Sequence, residues 1–243
     1  MDSDFQIKNI HKEKIILGKY QILKNIEKNK DLQIYEGKII ISDELIIIKI
    51  EQKKDKKKKG ILEIESHYLN YLKSPGIPII KKIGYFGNYI ISIQPILGFT
   101  LFQLFTKYYG NFKIKDITMI AIQILERIKF IHNKNVIYCN INPNNFALGF
   151  GRFQNLIYMT NFRLAKRYRD KSTLEHIKYN ISNDIKENFI FASINSLRGV
   201  EFSRRDDLES LGYMLIYFLK GGLPWEHIKC LNNSEKKKKN LSN

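Results

Sequence analysis

The chain has 243 residues, of which 44% are hydrophobic, and carries a formal net charge of +17. This length and hydrophobic content suffice to bury the core of one domain, and the positive charge favours acidic or phosphate-rich partners without selecting a fold. A membrane-spanning or secreted protein is not expected, because no apolar run approaches roughly 18 residues and no basic stretch precedes an apolar one at the start.

The first half of the chain is predicted to consist of strands and one helix. Five segments rich in β-branched residues and bounded by polar turns are predicted to be antiparallel strands: residues 20–26, 33–41, 45–52, 79–86 and 89–94. The last two flank the turn at residues 87–88 as a hairpin. Residues 60–72 are predicted to be a helix, with one face formed by Leu62, Glu65, Leu69 and Leu72.

After Pro95 the pattern becomes helical. One helix face is marked by Ile117, Ile120, Ile124, Ile128 and Ile131, and a second by Leu208, Leu211, Leu215 and Phe218. Strands followed by helices predict an α+β fold. We expect a single domain over residues 1–243, with a small lobe at 18–94, a large lobe at 95–230 and a basic tail at 231–243.

Much of the positive charge lies in two lysine-rich runs, at residues 53–59 and 236–239. Such runs usually form solvated surfaces, and the alternative is a nuclear-localisation signal or a nucleic-acid patch. No aromatic residues are interleaved with the lysines, so nucleic acid is not expected as a partner. Cys139 and Cys230 have no metal-ligand spacing and are expected to be free thiols in the cytoplasm, the nucleus or both, the alternative being a disulfide between them.

The second half carries motifs of a known enzyme family. Residues 130–146 read FIHNKNVIYCNINPNNF and resemble the end of a kinase helix followed by the catalytic loop. Residues 203–213, SRRDDLESLGY, and residues 222–225, GLPW, resemble the casein kinase I family, including its vaccinia-related relatives. The resemblance covers residues 18–230 and implies a bilobal protein-kinase-like fold, with a five-stranded small lobe and a mainly helical large lobe. Only 18 residues follow Trp225, so it also implies a large lobe truncated at its C-terminus.

Two elements of the resemblance concern the nucleotide. In kinases a glycine-rich turn lets backbone N–H groups approach the ATP phosphates. The three glycine positions fall here on Glu27, Asn29 and Leu32, so we expect an ordinary hairpin instead. The resemblance assigns to Lys49 the lysine that holds the α and β phosphates, and to Glu65 the helix glutamate that pairs with it. We expect this ion pair to form.

The catalytic loop departs from the family at its reactive positions. The proton-accepting aspartate corresponds to Asn140, whose amide cannot take a proton at neutral pH. The lysine that stabilises the transferring phosphoryl group corresponds to Asn142, while Asn145 retains the metal-binding asparagine. Tyr138 replaces a histidine and Cys139 an arginine, and we expect both to pack in the interior, with Cys139 not acting as a nucleophile.

The second metal position is changed as well. The aspartate of the Asp-Phe-Gly motif corresponds to Asn161, and its glycine to Arg163. Because magnesium prefers anionic oxygen, the amides of Asn145 and Asn161 are not expected to hold Mg²⁺. Arg163 is expected to point to solvent or to pair with Asp31 or Glu65. The alternative is that Arg163 substitutes for the metal in a metal-free nucleotide site.

Structural positions of the family are retained. Phe162 is expected to be a core residue, and Asp207 corresponds to the helix aspartate whose carboxylate holds the catalytic-loop backbone. The alternative for Asp207 is an exposed residue favoured by the helix dipole. Trp225 is expected to anchor the loop after this helix. The arginine that would bind a primed substrate is Ile190 here and Lys229 is the remaining basic candidate, so acidic or primed substrates are not expected to dock.

The resemblance implies three alternative functions. The first is a casein-kinase-I-like pseudokinase that binds or scaffolds a protein partner, either a kinase or a kinase substrate. The second is a weakly active ATP-dependent serine/threonine kinase, and the third is a truncated product without a biochemical role. ATP binding is left open by the sequence, whereas Mg²⁺ is not expected as a cofactor.

Overall fold

The computed structural model describes residues 15–28, 32–53, 55, 58–181 and 189–226. The chain divides into two compact units. Unit 1 comprises Met1–Lys73 and Pro78–Leu97, and unit 2 comprises Ser74–Ile77 and Gly98–Asn243. Within the described ranges, no helix is both long enough and apolar enough to cross a bilayer.

Unit 1 is built on an antiparallel sheet. Its described strands are β1 (Ile15–Ile16), β2 (Tyr20–Lys28), β3 (Leu32–Ile39), β4 (Leu45–Gln52), β5 (Lys82–Phe86) and β6 (Tyr89–Pro95). They lie in the order β1-β2-β3-β4-β6-β5. The predicted five-stranded sheet lacked β1, which pairs Ile15 with Gln21 and Ile16 with Tyr20. Two residues are too few to show an alternating pattern, so β1 could not be recognised from the sequence.

The alternation of β4 separates its lysine from the apolar core. Ile46, Ile48 and Ile50 are buried in one cluster together with Tyr35 and Ile91. Successive side chains of a strand point to opposite faces of the sheet. Lys49 therefore projects from the face opposite to these isoleucines.

A carboxylate from the sheet caps helix α1 (Ile61–Tyr71). Ile61 N donates to Glu51 Oε1 at 2.8 Å, and Leu62 N donates to Glu51 Oε2 at 2.7 Å. The first N–H groups of a helix have no partner within it, so a buried helix start needs an acceptor of this kind. Gly60 leaves room for the cap, since a Cβ there would lie 2.9 Å from Glu51 Oε2.

We expect the substitution Glu51→Ala to destabilise unit 1 by about 1–3 kcal/mol, because one buried and one partly buried N–H group lose their acceptor. The midpoint of urea unfolding, followed by far-UV circular dichroism, measures the loss. Glu44→Ala is the matched control, because Glu44 is half-exposed and pairs with Lys81 at the surface, where an ion pair contributes less than about 1 kcal/mol. Equal losses in the two variants would show that the cap contributes nothing.

Unit 2 is mainly helical. Its described helices are α2 (Leu101–Lys107), α3 (Ile114–Asn133), α4 (Ile194–Leu197) and α5 (Arg204–Lys220). Its described strands are β7 (Val136–Ile137), β8 (Phe146–Leu148), β9 (Ile157–Met159) and β10 (Lys166–Arg167), and short 3₁₀ helices cover Pro143–Asn145, Gly151–Phe153 and Phe162–Leu164. β7 pairs with β10 and β8 with β9, both antiparallel.

The two long helices bury different kinds of face. The predicted isoleucine face of α3 is confirmed, because all five isoleucines are buried. The predicted face of α5 is wrong at Leu208, which is 47% exposed, whereas Met214 and Tyr217 are buried. The buried face of α5 includes the polar residues Asp207 and Ser210. Hydrophobic periodicity cannot detect buried polar residues. The prediction therefore included the exposed Leu208 in the buried face of α5 and left out Asp207 and Ser210.

Candidate functional site

A buried carboxylate holds the backbone of the loop that follows β7. Asp207 of α5 is 1% exposed. Its Oδ2 accepts a hydrogen bond from Tyr138 N at 2.9 Å, and its Oδ1 accepts one from Cys139 N at 2.8 Å. His132 Nε2 lies 2.8 Å from Oδ2. Asp207 is therefore not an exposed residue at a helix start but the point at which α5 fixes this loop.

The anchored loop includes a strained residue. Cys139 has a φ of +60°, in the left-handed region, which costs a residue with a Cβ about 1–2 kcal/mol. The hydrogen bond from Cys139 N to Asp207 offsets part of that cost. The Cys139 side chain is buried, as expected, whereas Cys230 lies outside the described residues, so the free thiols and the alternative disulfide both stay predictions.

Tyr138 packs in the core of unit 2. Its ring centroid lies 5.2 Å from that of Phe162 and 6.1 Å from that of Phe146. Its hydroxyl group donates a hydrogen bond to Thr160 O, so the polar end of the buried side chain has a partner. Phe162 is fully buried beside it.

Four asparagine side chains form a connected network beside this loop. Asn145 Nδ2 donates to Asn140 O at 2.8 Å, and Asn142 Nδ2 donates to Asn140 Oδ1 at 3.3 Å. Asn161 Nδ2 donates to Asn145 Oδ1 at 3.0 Å. Asn140 Nδ2 completes the network with a longer bond to Asn161 O at 3.4 Å. The fold thus brings together the four asparagines that the sequence singled out.

The backbone at Asn161 permits this network. Asn161 has φ +57° and ψ +60°, a left-handed conformation that asparagine tolerates better than most residues with a Cβ. Asn140 is 3% exposed and Asn145 is 6% exposed. Buried amides need hydrogen-bond partners, and here the amides and the adjacent backbone supply them to one another.

Unit 1 contains a second polar group that the sequence predicted. Lys49 Nζ lies 2.9 Å from both carboxylate oxygens of Glu65, so the expected ion pair is formed. The Glu65 side chain is 3% exposed and that of Lys49 is 13% exposed. Gln94 Nε2 donates to Glu65 Oε2 at 3.0 Å and also to Ser92 Oγ at 3.2 Å. The pair joins β4 to α1 in a mostly buried position.

The family model for the protein kinase domain matches residues 9–243 of the chain. The chain belongs to the protein kinase family. The antiparallel sheet with its helix in unit 1 and the helices of unit 2 agree with the α+β, kinase-like fold predicted from the sequence.

The asparagine pair of this kinase-family chain does not fit a magnesium site. Protein kinases hold Mg²⁺ with an asparagine of the catalytic loop and a carboxylate. Here Asn145 Oδ1 already accepts a hydrogen bond, and Asn161 presents the N–H donor of that bond. Two neutral amides offer no negative charge, whereas Mg²⁺ prefers carboxylate and phosphate oxygen. No cluster of three His, Cys, Asp or Glu side chains that could hold a metal occurs in the described part of the chain.

The positions that correspond to the glycine-rich turn of kinases, where we expect an ordinary hairpin, are only partly described. Glu27 lies exposed in β2 and Leu32 begins β3. Asn29 and Asp31 lie outside the described residues, so the pairing of Arg163 with Asp31 stays a prediction. Arg163 itself is half-buried in a 3₁₀ helix.

The segment before α4 is held by the only tryptophan of the chain. Trp225 Nε1 donates to Ile190 O at 2.7 Å, and its ring lies edge-on to Tyr213 at 5.3 Å. Burial and a hydrogen bond to Glu209 raise the pKa of Tyr213 to about 12. Trp225 thus ties the loop after α5, in which it lies, to the segment before α4. Lys229 lies outside the described residues.

A basic surface cavity lies beside β10 in unit 2. Its volume is about 520 Å³ and its lining includes Lys166, Arg167, Lys178, Tyr179 and Glu201. Lys166 forms an ion pair with Glu201. The sequence did not single out this cavity because its lining comes from three separate segments, each of which resembles an ordinary polar loop.

Sequence reasoning missed two residues that complete the polar groups. Gln94 supports Glu65, and His132 supports Asp207. A polar residue near the end of a strand and a histidine in the last turn of a helix give no periodic signal. Their roles follow only from contacts between segments that are distant in sequence.

Proposed function

We propose that the protein is a casein-kinase-I-like pseudokinase, a binding or scaffolding module with little or no phosphoryl transfer. The observation that carries this proposal is the hydrogen bond from Asn161 Nδ2 to Asn145 Oδ1 at 3.0 Å. It joins the two side chains that would have to hold the metal in an active kinase, and it leaves neither of them as an anionic ligand.

The position expected for the catalytic base supports the same proposal. The Asn140 amide donates to Asn161 O and accepts from Asn142 Nδ2, so its polar atoms already have partners. An amide accepts no proton at neutral pH, and loss of a positioned base typically reduces the rate by about 10²- to 10⁴-fold. The reaction would lack both its base and its metal.

The contacts that shape the domain are retained. Asp207 holds the backbone of the loop, and Trp225 holds the segment at Ile190. The motif at residues 203–213, which carries the resemblance to casein kinase I, forms the start of α5, where Asp206 accepts hydrogen bonds from Ser203 N and Ser193 Oγ. A fold maintained without catalytic groups is suited to binding, and we propose a kinase or a kinase substrate as the partner.

One observation favours a second candidate, a weakly active serine/threonine kinase. The Lys49–Glu65 pair is formed, and active kinases require this pair to hold the ATP phosphates. The same pair has a purely structural explanation as well, because it links α1 to β4. ATP binding without Mg²⁺ is compatible with the proposed pseudokinase, whereas magnesium-dependent phosphoryl transfer is not.

Thermal unfolding with ATP, in the presence of Mg²⁺ or EDTA, tests the proposal. A ligand that binds only the folded state raises the unfolding temperature. We expect the same temperature with Mg²⁺ and with EDTA, and no transfer of phosphate to casein. An active casein kinase serves as the positive control. Magnesium-dependent stabilisation by ATP together with transfer to casein would overturn the proposal.

The double variant N140D/N161D provides the matched comparison. It places a carboxylate beside Asn145 Oδ1, so we expect Mg²⁺ alone to raise its unfolding temperature relative to EDTA. We expect it to remain inactive towards casein, because Glu27 and Leu32 still occupy glycine positions and Asn142 still replaces a lysine. No effect of Mg²⁺ on this variant would show that residues 145 and 161 are not at a metal position.

A further inference from the structure

Four phenylalanines of unit 2 are exposed to solvent. Phe99 is 52% exposed, Phe102 41%, Phe150 57% and Phe153 46%. A phenyl ring has no polar atom that water can solvate, so covering it with a partner is favourable. We refer to these four residues as the aromatic surface.

Backbone contacts join the two segments that carry the aromatic surface. Gly98 N donates to Leu148 O at 2.8 Å, and Leu148 N donates to Phe99 O at 3.0 Å. The turn that follows Gly149 folds back closely onto this glycine, since a Cβ at Gly149 would lie 2.3 Å from Phe153 O. Phe99 therefore lies in a backbone segment paired with Leu148, and Phe150 follows that pairing by two residues.

The core of unit 2 does not need the exposed ring on α2. Leu101 is 1% exposed and Phe105 is 3% exposed, so they form the buried face of this short helix. Phe102 lies between them in sequence and faces outward. Gln103 N donates to Thr100 Oγ1 at 3.1 Å, which caps the start of the helix independently of the exposed ring.

Two cations lie against the rings. Lys107 Nζ is 5.0 Å from the centroid of Phe99, and the Arg152 guanidinium carbon is 4.9 Å from that of Phe153. Within the described ranges, neither cation has a carboxylate partner. The sequence contains no Asp or Glu at residues 98–115 or 127–169. The surroundings of the aromatic surface therefore carry positive charge that the same segments do not neutralise.

We propose that the aromatic surface, with Lys107 and Arg152, docks an acidic segment of a protein partner that carries an aliphatic or aromatic side chain among its carboxylates. The rings bind the apolar side chain, and the two cations bind flanking carboxylates. Aromatic side chains and arginine are the residues most enriched at protein interfaces. This inference holds whether or not the chain transfers phosphate.

The number of cations favours a peptide over a lipid surface. Segments that bind anionic membranes through charge carry clusters of roughly 4–8 Lys or Arg residues. The aromatic surface has two cations, each placed over its own ring. Such fixed positions suit individual carboxylates at a defined spacing.

Selection from a random displayed peptide library against the full-length chain tests the proposal. We expect enrichment of peptides with acidic residues next to an aliphatic or aromatic residue. The affinity of a selected peptide should fall roughly tenfold or more in F99S/F102S and in F150S/F153S. It should also fall in K107E/R152E, and this charge-reversed variant should select basic peptides instead. All of these residues are exposed, so unchanged unfolding temperatures should show that the variants fold.

The variant K178E is the matched control, because Lys178 lines the basic cavity beside β10 and should not affect the selected peptides. Loss of binding in K178E with binding retained in the phenylalanine variants would show that the peptide binds in the cavity, and this result would overturn the proposal. Absence of enrichment, or enrichment without acidic residues, would overturn it too. Binding to phosphatidylserine vesicles that requires the aromatic surface, without peptide binding, would identify a membrane surface instead.

Discussion

Replacing Asp207 by alanine is expected to remove a large part of the stability of unit 2. The substitution leaves the N–H groups of Tyr138 and Cys139 buried without an acceptor, at a cost of about 1–3 kcal/mol for each group. It also removes the contact that offsets the left-handed backbone at Cys139. The combined loss approaches the total stability of about 5–15 kcal/mol that is typical of a domain.

Urea unfolding followed by tryptophan fluorescence measures this loss, because Trp225 is the only tryptophan and lies in unit 2. Asp116→Ala is the matched control: Asp116 is exposed and caps the start of α3 at 3.3 Å, so its loss should cost about 1 kcal/mol. The loss of stability in Asp207→Asn should lie between those of Asp207→Ala and Asp116→Ala, because its amide keeps one acceptor oxygen but places an N–H₂ group against a donor. A loss in Asp207→Ala no larger than that of the control would contradict a role for Asp207 in holding the loop.

Local sequence patterns predicted the helices and strands of this fold more accurately than they predicted the polar contacts between those elements. The isoleucines of α3 followed from helical periodicity, and the bounds of β4 at residues 45–52 followed from a run of β-branched residues between polar turns. The cap of α1 could not be predicted, because Glu51 belongs to β4 and its carboxylate reaches the helix only in the folded sheet. Leu208 was misplaced for the converse reason: a buried polar face on α5 resembles an exposed face in the sequence.

The candidate site shows the same limit. The resemblance to kinases singled out Asn140, Asn145 and Asn161, and the fold brings them together. Which amide donates to which acceptor depends on the left-handed backbone at Asn161, which no sequence pattern records. Residue type alone predicts that the amides of Asn145 and Asn161 hold Mg²⁺ poorly, and the structure adds that the Asn145 oxygen already accepts a hydrogen bond.

Replacing Lys49 by methionine should destabilise unit 1 by about 3–5 kcal/mol, because it leaves the Glu65 carboxylate buried without a counter-charge. Glu65→Gln should cost less. The Lys49 side chain is 13% exposed, and its flexible stem lets the ammonium group move towards water. Gln94 can still donate to the amide oxygen that replaces the carboxylate. Urea unfolding followed by far-UV circular dichroism measures each loss.

The double variant K49M/E65Q decides whether charge is the cause. A neutral pair of similar size should recover most of the stability lost in Lys49→Met, since replacing a buried ion pair is often nearly neutral whereas breaking it is not. The sum of the stability losses in the two single variants should therefore exceed the loss in the double variant by about 2 kcal/mol or more. Additive losses would mean that the lysine acts through its packing alone. Recovery in the double variant would give the pair a structural role that requires no nucleotide, which is the role expected of it in a kinase fold retained for binding.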